Sequence, residues 1–158
     1  MKKLITGIVT FILLAFLFSC AKAKEAAGIA TAEWHIGTTD YTSTSVQKIN
    51  DSAYTASGTN NMQVFFASAP VAGTYKIVNE QKAGLNELAS GEMAVEFNNG
   101  AIDIYLSTGT DNVFGTVTVN SDGEVTVSFP TIQIEHIQLN NGTPTSLGTT
   151  TADGQLEH

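Results

Sequence analysis

The chain has 158 residues, 42% of them apolar, and a formal charge of −8, a length that suits one domain burying its own core without disulfide or metal staples. It contains no arginine, and beyond Lys82 ten acidic residues follow with no further lysine, which excludes nucleic acid, whose binding draws on Lys and Arg at phosphates. The same deficit argues against phosphate-bearing substrates, because neither a bidentate guanidinium nor a glycine-rich phosphate loop is present; a cation is the better-matched charged ligand.

In chain order, Met1, Lys2 and Lys3 form a basic start before the apolar run Leu4 to Phe18. That run falls short of the ~20 residues a spanning helix needs and reads as a signal peptide. It ends in Leu17-Phe18-Ser19-Cys20, which resembles the lipobox of bacterial lipoproteins. The resemblance implies that a leader, residues 1–19, is removed and that the Cys20 thiol carries the lipid by which the protein meets a membrane. Cys20 is the single cysteine of the chain and so has no disulfide partner. Ala21 after it resembles the sorting pattern for the outer membrane, and each buried acyl methylene contributes about 0.8 kcal/mol to anchoring. Residues 20–30 are small and charged, with no periodic apolar face, and read as a tether.

From residue 31 to about 150 the pattern is period-two alternation of β-branched and aromatic residues, interrupted by Gly, Asn or Asp. The expected strands are about 31–36, 39–48, 52–57, 62–68, 74–78, 92–97, 101–106, 113–119, 124–129 and 132–139. Gly37-Thr38 as a hairpin turn pairs Trp34 with Tyr41 and His35 with Asp40. Asn99-Gly100 as a two-residue turn pairs Phe97 with Ile102, Val95 with Ile104 and Met93 with Leu106, all on one face. Asn120 to Gly123 pairs Val119 with Val125, Val117 with Val127 and Gly115 with Phe129, leaving Thr118 opposite Thr126 and Thr116 opposite Ser128 outside. Between Ile134 and Ile137 the apolar parity slips, which a bulge at Glu135-His136 explains. Residues 79–90 lack β-branched residues and read as a loop or one helical turn.

The expected fold is therefore all-β: an antiparallel sandwich of about eight to ten short hairpin-connected strands over residues 31–155, with a flattened, lipocalin-like up-and-down barrel as the alternative. Leu156-Glu157-His158 looks like the start of a polyhistidine expression tag. The lipobox, the Trp34…Tyr41 hairpin, the segment Ala69-Pro70-Val71-Ala72-Gly73-Thr74-Tyr75 and the run Gly115 to Phe129 together resemble small bacterial lipoproteins carrying one β-rich domain of unknown function. That resemblance implies fold and address, and brings no site residues with it.

Candidate chemistry is sparse. The Asn99-Gly100 register sets Glu96 opposite Asp103 on the outward face, a like-charge pair that calls for compensation. A Ca²⁺ site completed by Glu92 is one answer and Lys76 from an adjacent strand another. His35 and Asp40 with Ser43 or Ser45 sketch a hydrolytic triad, but no nucleophile elbow, H-E-x-x-H or paired cysteine accompanies them. His35 and His136 are too far apart in sequence to form a metal-ligand spacing. Tyr105, Phe65 and Tyr54 are candidates for an exposed ligand surface of the carbohydrate-stacking kind. No cofactor and no catalytic residue is expected. The leading expectation is a non-enzymatic envelope module for a protein or glycan, followed by a carrier of a small apolar ligand and then by a hydrolase.

Overall fold

The computed structural model describes residues 31–100, 102–110 and 112–158; the expected leader, Cys20 and the expected tether lie outside them. The fold is all-β. In chain order the strands are β1 (Thr31–Ile36), β2 (Thr39–Ser43), β3 (Val46–Asn50), β4 (Ala53–Ala56), β5 (Asn61–Phe66), β6 (Gly73–Ile77), β7 (Glu92–Asn99), β8 (Asp103–Ser107), β9 (Phe114–Val119), β10 (Val125–Asn140) and β11 (Thr143–Glu157). A single turn of helix, α1 (Gln81–Gly84), interrupts them within the stretch that lacks β-branched residues.

Hydrogen bonding runs β2-β1-β11-β10-β9-β6-β7-β5-β4-β3, and β8 joins β10 to β7. Strands β10, β9, β6, β7 and β8 thereby close a ring, with β6 and β7 parallel and the other pairs antiparallel. From this ring β11, β1 and β2 extend on one side and β5, β4 and β3 on the other. Their inward faces share one core: Phe97 of β7 lies 6.3 Å from Phe129 of β10, and Tyr54 of β4 lies 5.5 Å from His158, ring centre to ring centre. Trp34, Met62, Met93, Phe97, Ile134 and Leu156 are fully buried there.

Two of the three expected hairpins form in the expected register. Trp34 faces Tyr41 and His35 faces Asp40, around Gly37 at φ +60°. Val119 faces Val125 and Val117 faces Val127, with Thr118 opposite Thr126 and Thr116 opposite Ser128, and Gly123 in the left-handed region at φ +85°. The glycine covered by Phe129 is Gly154, its cross-strand partner on β11, whereas Gly115 lies against the Met93 thioether.

The Asn99-Gly100 hairpin departs from expectation. Asn99 pairs with Asp103, Asn98 with Ile104, Phe97 with Tyr105 and Glu96 with Leu106, so the turn is one residue longer than the two-residue turn expected. Because side chains alternate with period two, this odd shift moves Ile102, Ile104 and Leu106 from the inward face to the outward one. Asn61 Nδ2 donates to Asn98 Oδ1 at 2.9 Å, tying the observed register to β5.

The two segments expected around 124–129 and 132–139 are one strand, β10, and its bulge lies earlier than the sequence suggests. The ladder to β11 shifts between Phe129 and Ile132, at Pro130, which has no N–H to donate. A second shift, between His136 and Ile137, leaves the extra residue, Leu147, on β11 instead of β10. Strand β10 therefore keeps its alternation from Ile132 onward, and Ile137 and Leu139 point outward. Strand β11 itself, 15 residues long, lies beyond the last expected strand, which ends at residue 139. Its last residues lie between β1 and β10, with Leu156 fully buried opposite Ala32 and Val127.

Candidate functional site

The β8–β10 ladder has reversed polarity. Tyr105 pairs with Phe97 and His136 on the side where Phe97 and Ile134 are buried, so Asp103, Tyr105, His136 and Gln138 face inward. Alternate positions face outward: Ile104 pairs with Ile137, and the Leu139 N–H donates to the Ile102 carbonyl at 2.8 Å, continuing the ladder. Ile102, Ile104, Leu106, Ile137 and Leu139 thus form a stripe of five aliphatic side chains on the outward face. Ile102 is 53% exposed and the other four are partly exposed. Leu147, the extra residue of β11, is 53% exposed beside it.

The rim of the stripe is acidic. Leu106 stands between Glu96 of β7 and Glu135 of β10, each its direct cross-strand partner. Glu80 reaches the same end of β8, where its N–H donates to the Ser107 carbonyl at 3.0 Å. Burial lifts the Glu80 carboxyl above the usual range, and repulsion from Glu96 adds to it. Burial likewise lifts Glu96, against a hydrogen bond from Asn98 that pulls the other way. Among the described residues no lysine acts on either group. Lys82 binds Glu92 at 3.0 Å, Lys76 also acts on Glu92, and Lys48 binds Asp51 at 2.7 Å.

On the inward side, His136 Nε2 donates to Asp103 Oδ1 at 3.0 Å and its ring stacks on Tyr105 at 4.3 Å. Gln138 Nε2 also donates to Asp103, at 3.4 Å. Trp34 and Tyr41 stack at 5.8 Å nearby in the core, and the Trp34 indole nitrogen is buried with no hydrogen-bond partner among the described residues.

The residues singled out from sequence are distributed differently from expectation. Glu96 and Asp103 are not opposite each other: Glu96 faces Gln63 and Leu106, while Asp103 faces Asn99 and Gln138 and bonds His136. The odd shift of the hairpin puts them on opposite faces of the sheet, and Glu92 is occupied by Lys82 and by the Ala89 N–H. Among the described residues no three His, Cys, Asp or Glu side chains gather as metal ligands. Tyr54 is only 3% exposed and packs edge-on against Phe66, so it belongs to the core. Tyr105 is turned inward, whereas Phe65, one residue from buried Val64 and Phe66, faces outward. The three aromatics make no common surface.

Phe65 instead lines a pocket of about 260 Å³ with Ala53, Asn50 and Ser52, roofed by Ala83, Asn86 and Leu88 of the segment around α1. The space is small beside the ~300–1,000 Å³ usual for small-molecule sites. His35 lies on the outward face between Asp153, 2.8 Å from Nδ1, and Asp40, 3.5 Å from Nε2. With a carboxylate at each ring nitrogen, neither is directed at a serine. Ser43 is buried and donates to the Ser57 carbonyl at 2.6 Å. His35 and His136 face opposite sides of the sheet. The outward stripe escapes a sequence reading because its alternation is that of an ordinary buried strand; only the parity slip after Ile134 hinted at it. Comparison with protein-family models, with curated proteins and with solved structures finds no match to this chain.

Proposed function

We propose that this chain is a lipid-anchored, non-enzymatic binding module of the bacterial cell envelope. In this reading Cys20 holds it at the outer membrane and the aliphatic stripe of β8 and β10 contacts a protein partner. The observation that carries the reading is the reversed polarity of that ladder, with five aliphatic side chains turned to solvent. Contiguous outward apolar patches mark contact surfaces more often than scattered single residues do. A protein partner is favoured over a glycan because carbohydrate stacking uses free aromatic faces, whereas Tyr54 is buried, Tyr105 is covered by His136, Phe65 lies beside Ala83 and Leu88 of the segment around α1, and the exposed Phe114 stands on β9, off the β8–β10 ladder. The non-enzymatic reading is supported by His35, whose two ring nitrogens meet the carboxylates of Asp153 and Asp40.

The test is site-specific photocrosslinking of the full chain in intact envelopes. A photoreactive residue at Ile104 is expected to give one discrete adduct, and one at Thr118, exposed on β9, none. No adduct from position 104, or the same labelling from both positions, overturns the reading. Radiolabelled palmitate is expected in the wild-type protein and absent from Cys20→Ser; an unlabelled wild type overturns the anchor.

A further inference from the structure

The stripe and its rim together narrow the chemistry of the partner. Glu96 and Glu135 flank Leu106 on both sides, and cross-strand neighbours stand roughly 5 Å apart, so an aliphatic side chain docked on Leu106 comes within reach of two carboxylates. Glu80 adds a third at the same end. Among the described residues Lys48 pairs with Asp51 and Lys82 with Glu92, and Lys76 acts on Glu92, so none of these three lysines neutralises this rim. We infer that the stripe takes a basic amphipathic protein segment, which lays aliphatic side chains along Ile104, Leu106 and Ile137 and sets Lys or Arg beside Glu80, Glu96 and Glu135.

This rests on the reading of the stripe as an interface and adds the partner's charge. Other occupants fit less well. An anionic lipid surface meets three carboxylates of its own sign. A second copy of this chain, docked by the same patch about a two-fold axis, sets acid against acid across the contact. A basic segment does the reverse: it offsets the repulsion between two partly buried carboxyls that the isolated domain leaves standing. From Ile102 to Leu106 the stripe runs about 13 Å at 3.3 Å per residue, the length of a short strand of the partner.

The experiment uses the lipidated full chain in phosphatidylcholine nanodiscs, with empty nanodiscs subtracted, and three fluorescent twelve-residue peptides: alternating Leu–Lys, alternating Leu–Glu and alternating Ser–Lys. Fluorescence anisotropy is expected to show saturable binding of the Leu–Lys peptide, at least tenfold tighter than of either control. Glu80→Gln with Glu96→Gln should weaken it five- to tenfold, and Ile104→Thr with Ile137→Thr should weaken it at least as much. Thr keeps the β-branch that a strand favours, and circular dichroism checks the fold of each variant. Asp122→Asn with Glu124→Gln, at the β9–β10 turn, should leave it unchanged. Equal binding of Leu–Lys and Leu–Glu peptides, insensitive to the Glu80 and Glu96 changes but lost with the Ile changes, overturns the basic partner while the interface stands. Leu–Lys binding that survives the Ile changes overturns the interface as well. Weakening by the Asp122 and Glu124 changes equal to that at the rim shows attraction to net charge alone and overturns the inference.

Discussion

Gly154 shows how closely single residues are held. A Cβ there would lie 2.8 Å from Trp34 Cβ, 3.0 Å from Phe129 Cζ and 3.1 Å from the Glu33 carbonyl oxygen, all parts of a packed core. Gly154→Ala is expected to destabilise the domain by about 2–3 kcal/mol, at the upper end for overpacking. Gly115→Ala should cost less, because its nearest neighbour at 2.8 Å is the sulfur of the flexible Met93 side chain, which leaves one fixed contact, the Ser128 carbonyl oxygen at 3.0 Å. Chemical denaturation of the two variants measures the difference, and equal losses would show that the Trp34–Phe129 lid yields as easily as a methionine. At the surface, the hydrogen bond to Asp153 foremost raises the His35 pKa above its ordinary 6.5; desolvation, the next largest influence, opposes it, and charge from Asp153, Asp40 and Glu33 adds to the rise. A raised pKa means that the stabilisation by protonated His35 is fully present below 6.5 and is lost as pH climbs through the folded-state value. Asp153→Asn should lower the His35 midpoint in an NMR titration; an unmoved midpoint would remove Asp153 as its cause.

Among the elements, β11 and the β7–β8 turn decide most. Apart from Leu147, strand β11 carries only Thr, Ser, Gly and Pro through residues 143–151, so its place comes from neighbours, β10 along its whole length and β1 along residues 152–157. Leu156 is fully buried between them, and Leu156→Ala is expected to cost about 2–4 kcal/mol, read as a lower denaturant midpoint. A loss below 0.5 kcal/mol would mean that this end of β11 frays in solution. The β7–β8 turn was legible as a turn from Asn99-Gly100 but not in its register. A two-residue turn places Ile102, Ile104 and Leu106 inside, and the observed turn places Tyr105 there instead. Packing chose between them: Tyr105 finds His136 to stack on and Phe97 beside it, and Asn98 finds Asn61.

For the molecule as a whole, the governing quantity is a charge of −8 on 158 residues. Self-repulsion of this kind opposes the compact state, and salt relieves it. Raising NaCl from 10 to 150 mM shortens the screening length from ~30 to ~8 Å, and the melting temperature is expected to rise by several degrees. A fall would show that local pairs such as Lys82–Glu92 outweigh net repulsion. The same imbalance gives the stripe its chemical sense: on a surface short of cations, an aliphatic strip between carboxylates is complementary to an incoming basic segment.

The all-β class, eight of the eleven strands in approximate place, the two hairpins around Gly37 and Gly123 and the anionic character follow from the sequence alone, because alternation and turn chemistry are local. The resemblance of Leu17-Phe18-Ser19-Cys20 to a lipobox is equally local, and the proposed anchor rests on that motif alone. What only the tertiary structure decided is which side of each strand faces in. An odd shift in one turn and one extra residue on β11 in place of β10 turned five aliphatic residues outward and separated Glu96 from Asp103. Side-chain alternation has a period of two, so every local pattern fits both faces equally well; the choice between them is made by the strands alongside.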